Sequence, residues 1–126
     1  MKVTELQIND LVGYNGIIGR VYATSMPFPR KEERYNDKAI ITLAVDGFID
    51  ALESEVEPVY LTAEMLWKNF PDPDIVEWYP NLPQTAYNIH IEQEDVTVDV
   101  LIRYVHELQQ ALRLCGLKDL ADNFKI

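Results

Sequence analysis

His90, His106, Cys115, Ser25 and Ser54 are the side chains of this 126-residue chain that come first to mind for acid–base, nucleophilic or metal chemistry. His106 opens the run HELQQ, which starts like a zinc-protease helix. A metal site on one helical face needs a second His at i+4, and Gln110 stands there. Two His and one Cys give no ligand cluster with metal spacing. Asp72, Asp74 and Glu77 hint at a calcium loop, yet the Gly and the later bidentate Glu of an EF-hand are missing. No GxxxxGK, GxGxxG or GxSxG occurs. The sequence therefore leads us to expect no catalytic residue, no cofactor and no metal. Cys115 reads as a small core residue, because its neighbours are apolar at helical spacing. His90 faces opposite Ile89 and Ile91 and reads as a surface strand residue.

Aromatic side chains offer a different chemistry. Trp78, Tyr79 and Tyr87 lie in or beside a segment holding four of the seven prolines, PDPDIVEWYPNLPQ at 71–84. Large aromatics with a polar edge dominate interface hot spots, and they also pin long loops onto a core. Both readings stand for these three. His106, next to Val105 on a core-facing stripe, reads as a structural histidine, with a partner contact as the sharper alternative. Trp78, Tyr79, Tyr87 and His106 are thus the candidate partner contacts.

Charge narrows the partners. The chain carries 11 Lys and Arg against 21 Asp and Glu, a formal net charge of −10. Nine acidic residues and one Lys fall within 46–79, a net of −8. A protein that neutralises a phosphate backbone needs the opposite sign. The basic cluster Arg30, Lys31 and Arg34 is interleaved with Glu32 and Glu33, so nucleic acid is not expected as a partner. The acidic middle reads as a solvated surface, or as a face for a basic partner, or as a mimic of nucleic-acid phosphates. No apolar run approaches the ~20 residues of a membrane span. MKVTELQIND has no apolar signal core, so a cytoplasmic protein is expected.

The elements that must position these residues can be read from period and punctuation. Asn15-Gly16 between two apolar runs predicts a type I′ hairpin with strands at 10–14 and 17–24. Gly13 and Gly19 inside those strands suggest a bulge or tight bend. Residues 25–37 read as a mobile loop. A strand at 38–45, a turn at Asp46-Gly47, a strand at 48–52, one helical turn in ESEVEP and a strand at 59–61 complete an SH3-like small barrel over about 5–61. Thr62 caps a helix whose apolar face is Ala63, Leu66, Trp67 and Phe70. A proline-rich loop over 71–84 follows. Alternation through Tyr87, Ile89 and Ile91, then Val96, Val98, Val100 and Ile102, predicts a hairpin with one buried face. Val105, Leu108, Leu112 and Cys115 mark a buried helical stripe, closed by Gly116 as a left-handed cap. The fold class is α+β, a single domain over 1–126 whose two parts share one core.

LQINDLVGYNG, VEPVYLTAEML and IRYVHELQQALRLCG together resemble a family of small uncharacterised proteins of gut bacteroidete genomes, many on prophages and mobile elements. The family pattern starts Leu-x-Ile-Gly-Asn/Asp-x-Val, has a central Pro-Ile-Pro-Leu-Thr-x-Glu-x-Leu and closes with Tyr-Val-His-Gln/Glu-Leu-Gln. Asn9 stands where the pattern has Gly, and Tyr60 where it has Pro. The resemblance implies a cytoplasmic, phage-associated protein and supplies no catalytic residue. The expected function is a non-enzymatic protein-interaction module, with a second copy of the chain among its conceivable partners. The alternatives are an acidic decoy for a host nucleic-acid-binding protein and a small enzyme whose site assembles in space.

Overall fold

A computed structural model describes residues 1–81 and 85–126 of the chain. It is α+β, with two antiparallel sheets, and divides into two compact units, Met1–Val59 and Tyr60–Ile126.

The first unit is a five-stranded sheet of β1 (Leu11–Tyr14), β2 (Ile17–Ser25), β3 (Ile40–Ala44), β4 (Phe48–Leu52) and β5 (Val56–Pro58), in the order β4-β3-β2-β1-β5. Tyr14 pairs with Ile17, which leaves a two-residue turn at Asn15-Gly16. Both residues have positive φ, 50° and 81°, as a type I′ turn requires. Between β3 and β4 only Gly47 has positive φ, and three residues make the connection. Val12, Val21, Ile41, Leu43 and Ala51 are fully buried and, with Val3, Leu6 and Val56, form the core. The β-bulge lies at Tyr22, between Val21 and Ala23, and not at either strand glycine. Gly19 marks a close approach instead: a Cβ there would sit 3.3 Å from Leu43 Cβ, which would have to give by a few tenths of an ångström.

Two expectations for this unit are corrected. The last strand is Val56–Pro58, not 59–61. Glu55 accepts from the Leu52 amide at 2.9 Å, which confines the helical turn to Glu53–Glu55, and Val56 is already extended. Pro58 fits there because β5 is an edge strand with one neighbour. The segment before β3 is not a loose tip. The Arg30 guanidinium donates to the carbonyls of Tyr35 (2.8 Å) and Lys38 (2.6 Å) and to the Ser25 hydroxyl (2.8 Å), and it lies 3.7 Å from the Phe28 ring centre.

The second unit holds α1 (Ala63–Asn69), β6 (Val76–Asn81), β7 (Ala86–Gln93), β8 (Val96–Ile102), α2 (Val105–Leu114) and α3 (Lys118–Asp122). Thr62 caps α1 by accepting from the Met65 amide at 3.3 Å. The proline-rich loop contains a strand, β6, so the predicted hairpin is a three-stranded sheet, β6-β7-β8. Pro80 hides this strand from composition, yet an edge strand tolerates a missing N–H. Part of that loop, 82–84, lies outside the described residues. β8 departs from the expected burial: Val96 and Val100 are 40% and 37% exposed, and Ile102 is its buried residue.

α2 follows its predicted stripe. Val105, Leu108 and Leu112 are fully buried, and Cys115 nearly so; burial pushes its thiol pKa up. The Glu107 carboxylate accepts from the Tyr104 amide at 2.9 Å, closing the N-terminus. Gly116 has φ 80°; its amide donates to Arg113 O at 3.0 Å and that of Leu117 to Leu112 O at 2.9 Å, a Schellman closure. Buried Gln109 donates to the Ala121 carbonyl at 3.0 Å, holding α3. Among the described residues no helix is long and apolar enough to cross a membrane.

Candidate functional site

Two turns of α1 have one buried side. Leu66 is fully buried and Phe70 nearly so, with its ring 6.2 Å from that of Phe124. Trp67, expected to pack inward with them, is 62% exposed. In a seven-residue helix the inward stripe is filled by Leu66 and Phe70, and the neighbouring position turns out. Pro71 and Pro73 then reverse the chain into β6. Trp78 is in register with Ile89, and its ring meets Trp67 edge-on at 5.0 Å and Tyr87 edge-on at 6.0 Å. Edge-to-face packing at these distances is favourable for rings of opposite edge and face charge.

Trp67 and Trp78 line a groove of about 490 Å³ with Phe70, Pro71, Pro73 and buried Val76, and Tyr87 backs it through Trp78. The groove takes residues from both faces of β6, so it runs along the strand's outer edge, where no described strand pairs. Glu77 and Tyr79 belong to its lining. The Tyr79 hydroxyl donates to Glu77 at 3.1 Å, and this bond to a carboxylate raises the phenol pKa. Tyr79 is 59% exposed. Three of the four candidate contacts, Trp78, Tyr79 and Tyr87, are therefore at or against one groove. His106 is not among its lining residues: it is 6% exposed and stacks on Tyr104, ring centres 5.8 Å apart. Sequence reasoning missed Trp67 as a site residue; the signal available was its place four residues before a Pro-x-Pro turn.

A second, polar surface lies on the other face of this sheet. The His90 Nδ1 is 2.6 Å from Asp99 Oδ1, and Nε2 is 3.6 Å from Glu92. The Asp99 hydrogen bond chiefly, against some desolvation, raises the His90 pKa. Both ring nitrogens thus face carboxylates, an arrangement that holds a proton.

Neither a known family model, a curated protein nor a solved structure matches this chain. Its site must be judged on its own geometry. Among the described residues no group of three His, Cys, Asp or Glu is placed to hold a metal ion. What the groove can do chemically is bind apolar, flat or cationic groups against exposed ring faces.

Proposed function

We propose that this protein is a non-enzymatic interaction module whose docking site is the Trp67–Trp78–Tyr79 groove. The observation that carries the reading is the exposure of Trp67 and Tyr79, 62% and 59%, beside an apolar floor. Large aromatics left in water at a concave apolar surface are the usual anchors of a protein interface. The first unit serves as an SH3-like scaffold. Its strand order, with a 3₁₀ turn just before the last strand, supports that reading. The family resemblance would put this role in a bacterial cytoplasm, on a phage or other mobile element.

The decoy reading is less well supported. Several carboxylates of the acidic middle are engaged internally: Glu53 accepts from the Val3 amide, Glu55 pairs with Arg34, and Asp50 accepts from the Thr42 hydroxyl. A phosphate mimic needs its charges free, and the Arg34 pair neutralises one of them. The test is a tagged pull-down from host lysate, with and without phage induction, using the original chain and Trp67→Ala in parallel. A partner captured by the first and lost with the second is the expected result. Identical captures would sink the groove as the docking site.

A further inference from the structure

The groove is apolar at its floor and acidic around it, which selects for charge in whatever docks there; this inference rests on reading the groove as a docking site. Glu77 is part of the lining, and Glu64, Asp72 and Asp74 are exposed on the segments that form its walls. Between residues 60 and 81 the sole basic residue is Lys68, and its Nζ donates to the Ile126 carbonyl at 3.0 Å. The groove also runs along an open sheet edge, so addition of a strand must be weighed. Pro80 removes an N–H from that edge and Val76 is 2% exposed, so little backbone is left there for pairing. Recognition falls to side chains.

We propose that the Trp67–Tyr79 groove docks an arginine-bearing extended segment of a protein partner, with a guanidinium stacked on an exposed ring and paired with Glu77. Arginine fits better than lysine. Its planar, weakly hydrated guanidinium stacks on indole and phenol faces and meets a carboxylate with two parallel hydrogen bonds. A second copy of the chain fits worse, since a two-fold contact would set Glu64, Asp72, Asp74 and Glu77 against their own equivalents.

A random dodecapeptide library displayed on phage, panned against the full chain with Trp67→Ala as counter-target, tests this. Selected peptides are expected to be enriched in Arg and depleted in Asp and Glu. A synthetic copy should lose about tenfold or more in affinity when its Arg is replaced by the neutral isostere citrulline. It should also weaken with Glu77→Gln and with rising salt. Peptides that need Trp67 but carry no cation would overturn the arginine and leave the docking groove standing. Peptides that bind Trp67→Ala equally well would overturn both, and a library yielding no binder overturns the proposal. Should Trp67→Ala lower the melting temperature, Glu77→Gln, which removes the charge but keeps an acceptor for the Tyr79 hydroxyl, decides the matter against the citrulline peptide.

Discussion

Asn9 has φ 74°, in the left-handed region where a Cβ is costly and Gly is at ease. Asn is, after Gly, the side chain that best tolerates this backbone. Asn9→Gly should leave the melting temperature nearly unchanged, while Asn9→Ala should cost about 1 kcal/mol in a denaturant titration. Equal effects of the two would show that the backbone is not what the residue answers to. His90 makes a second prediction. Asp99 first, by hydrogen bond, then by charge, with help from Glu92 and Glu77, outweighs desolvation and raises its pKa above the ordinary 6.5. A raised folded pKa means that the pair's contribution is fully present below about 6.5 and fades as pH rises through the folded value. An NMR titration of the His90 ring should therefore find its midpoint above that of a free imidazole, and Asp99→Asn should bring it down. Arg34 and Glu55 teach the opposite lesson about reading charge from sequence. Neighbouring Glu32 and Glu33 were the natural partners of the basic cluster, but Arg34 Nη2 meets Glu55 at 2.7 Å, 21 residues on. Both residues sit in short helical turns that the fold brings together, which no local window contains.

The helix α2 is the element on which packing arguments bite hardest. Leu108→Ala removes a fully buried side chain and should cost about 2–5 kcal/mol. Leu114→Ala, at a position 73% exposed on the same helix, should stay within about 0.5 kcal/mol. A pair of urea titrations separates them, and equal costs would place the helix on the surface. This stripe was legible in the sequence because four apolar residues at helical spacing and a terminal Gly agree. The Asn15-Gly16 hairpin was legible because both turn residues declare their backbone. The strand β6 was not: two prolines upstream and Pro80 within it carry the composition of a loop, and only its edge position reconciles them. The alternation in β8 revealed which residues share a face, but period two says nothing of whether another layer covers that face. Trp67 was misread for a related reason, since an apolar stripe three residues wide is more than a two-turn helix buries. Of the candidate site, the ring types were visible in the sequence and their convergence on α1 was not.

With a net charge of −10, the molecule repels a phosphate backbone at long range. Several of its eleven Lys and Arg side chains are engaged within the fold. Arg30 is spent on carbonyls, Arg34 on Glu55, and Arg113 and Lys118 converge on Asp122 at 3.4 and 3.2 Å. We expect no duplex-DNA binding tighter than about 10⁻⁴ M in a fluorescence titration at physiological salt. A micromolar isotherm that weakens with salt would contradict the charge distribution described here. Two of the four sheet edges carry a proline, Pro58 on β5 and Pro80 on β6. The edge strand β8 carries none. It reads VTVDVLI, with valines part-way into solvent, and the single charge in it is Asp99. Such a segment is the material of cross-β aggregates, and a lone carboxylate at its centre would oppose the zipping of neighbouring copies. Asp99→Val should therefore give a protein that folds yet forms thioflavin-positive fibrils on concentration. The original chain should be most prone to precipitate in mildly acidic storage, near its isoelectric point of about 4.5, where the mutual repulsion of whole molecules vanishes.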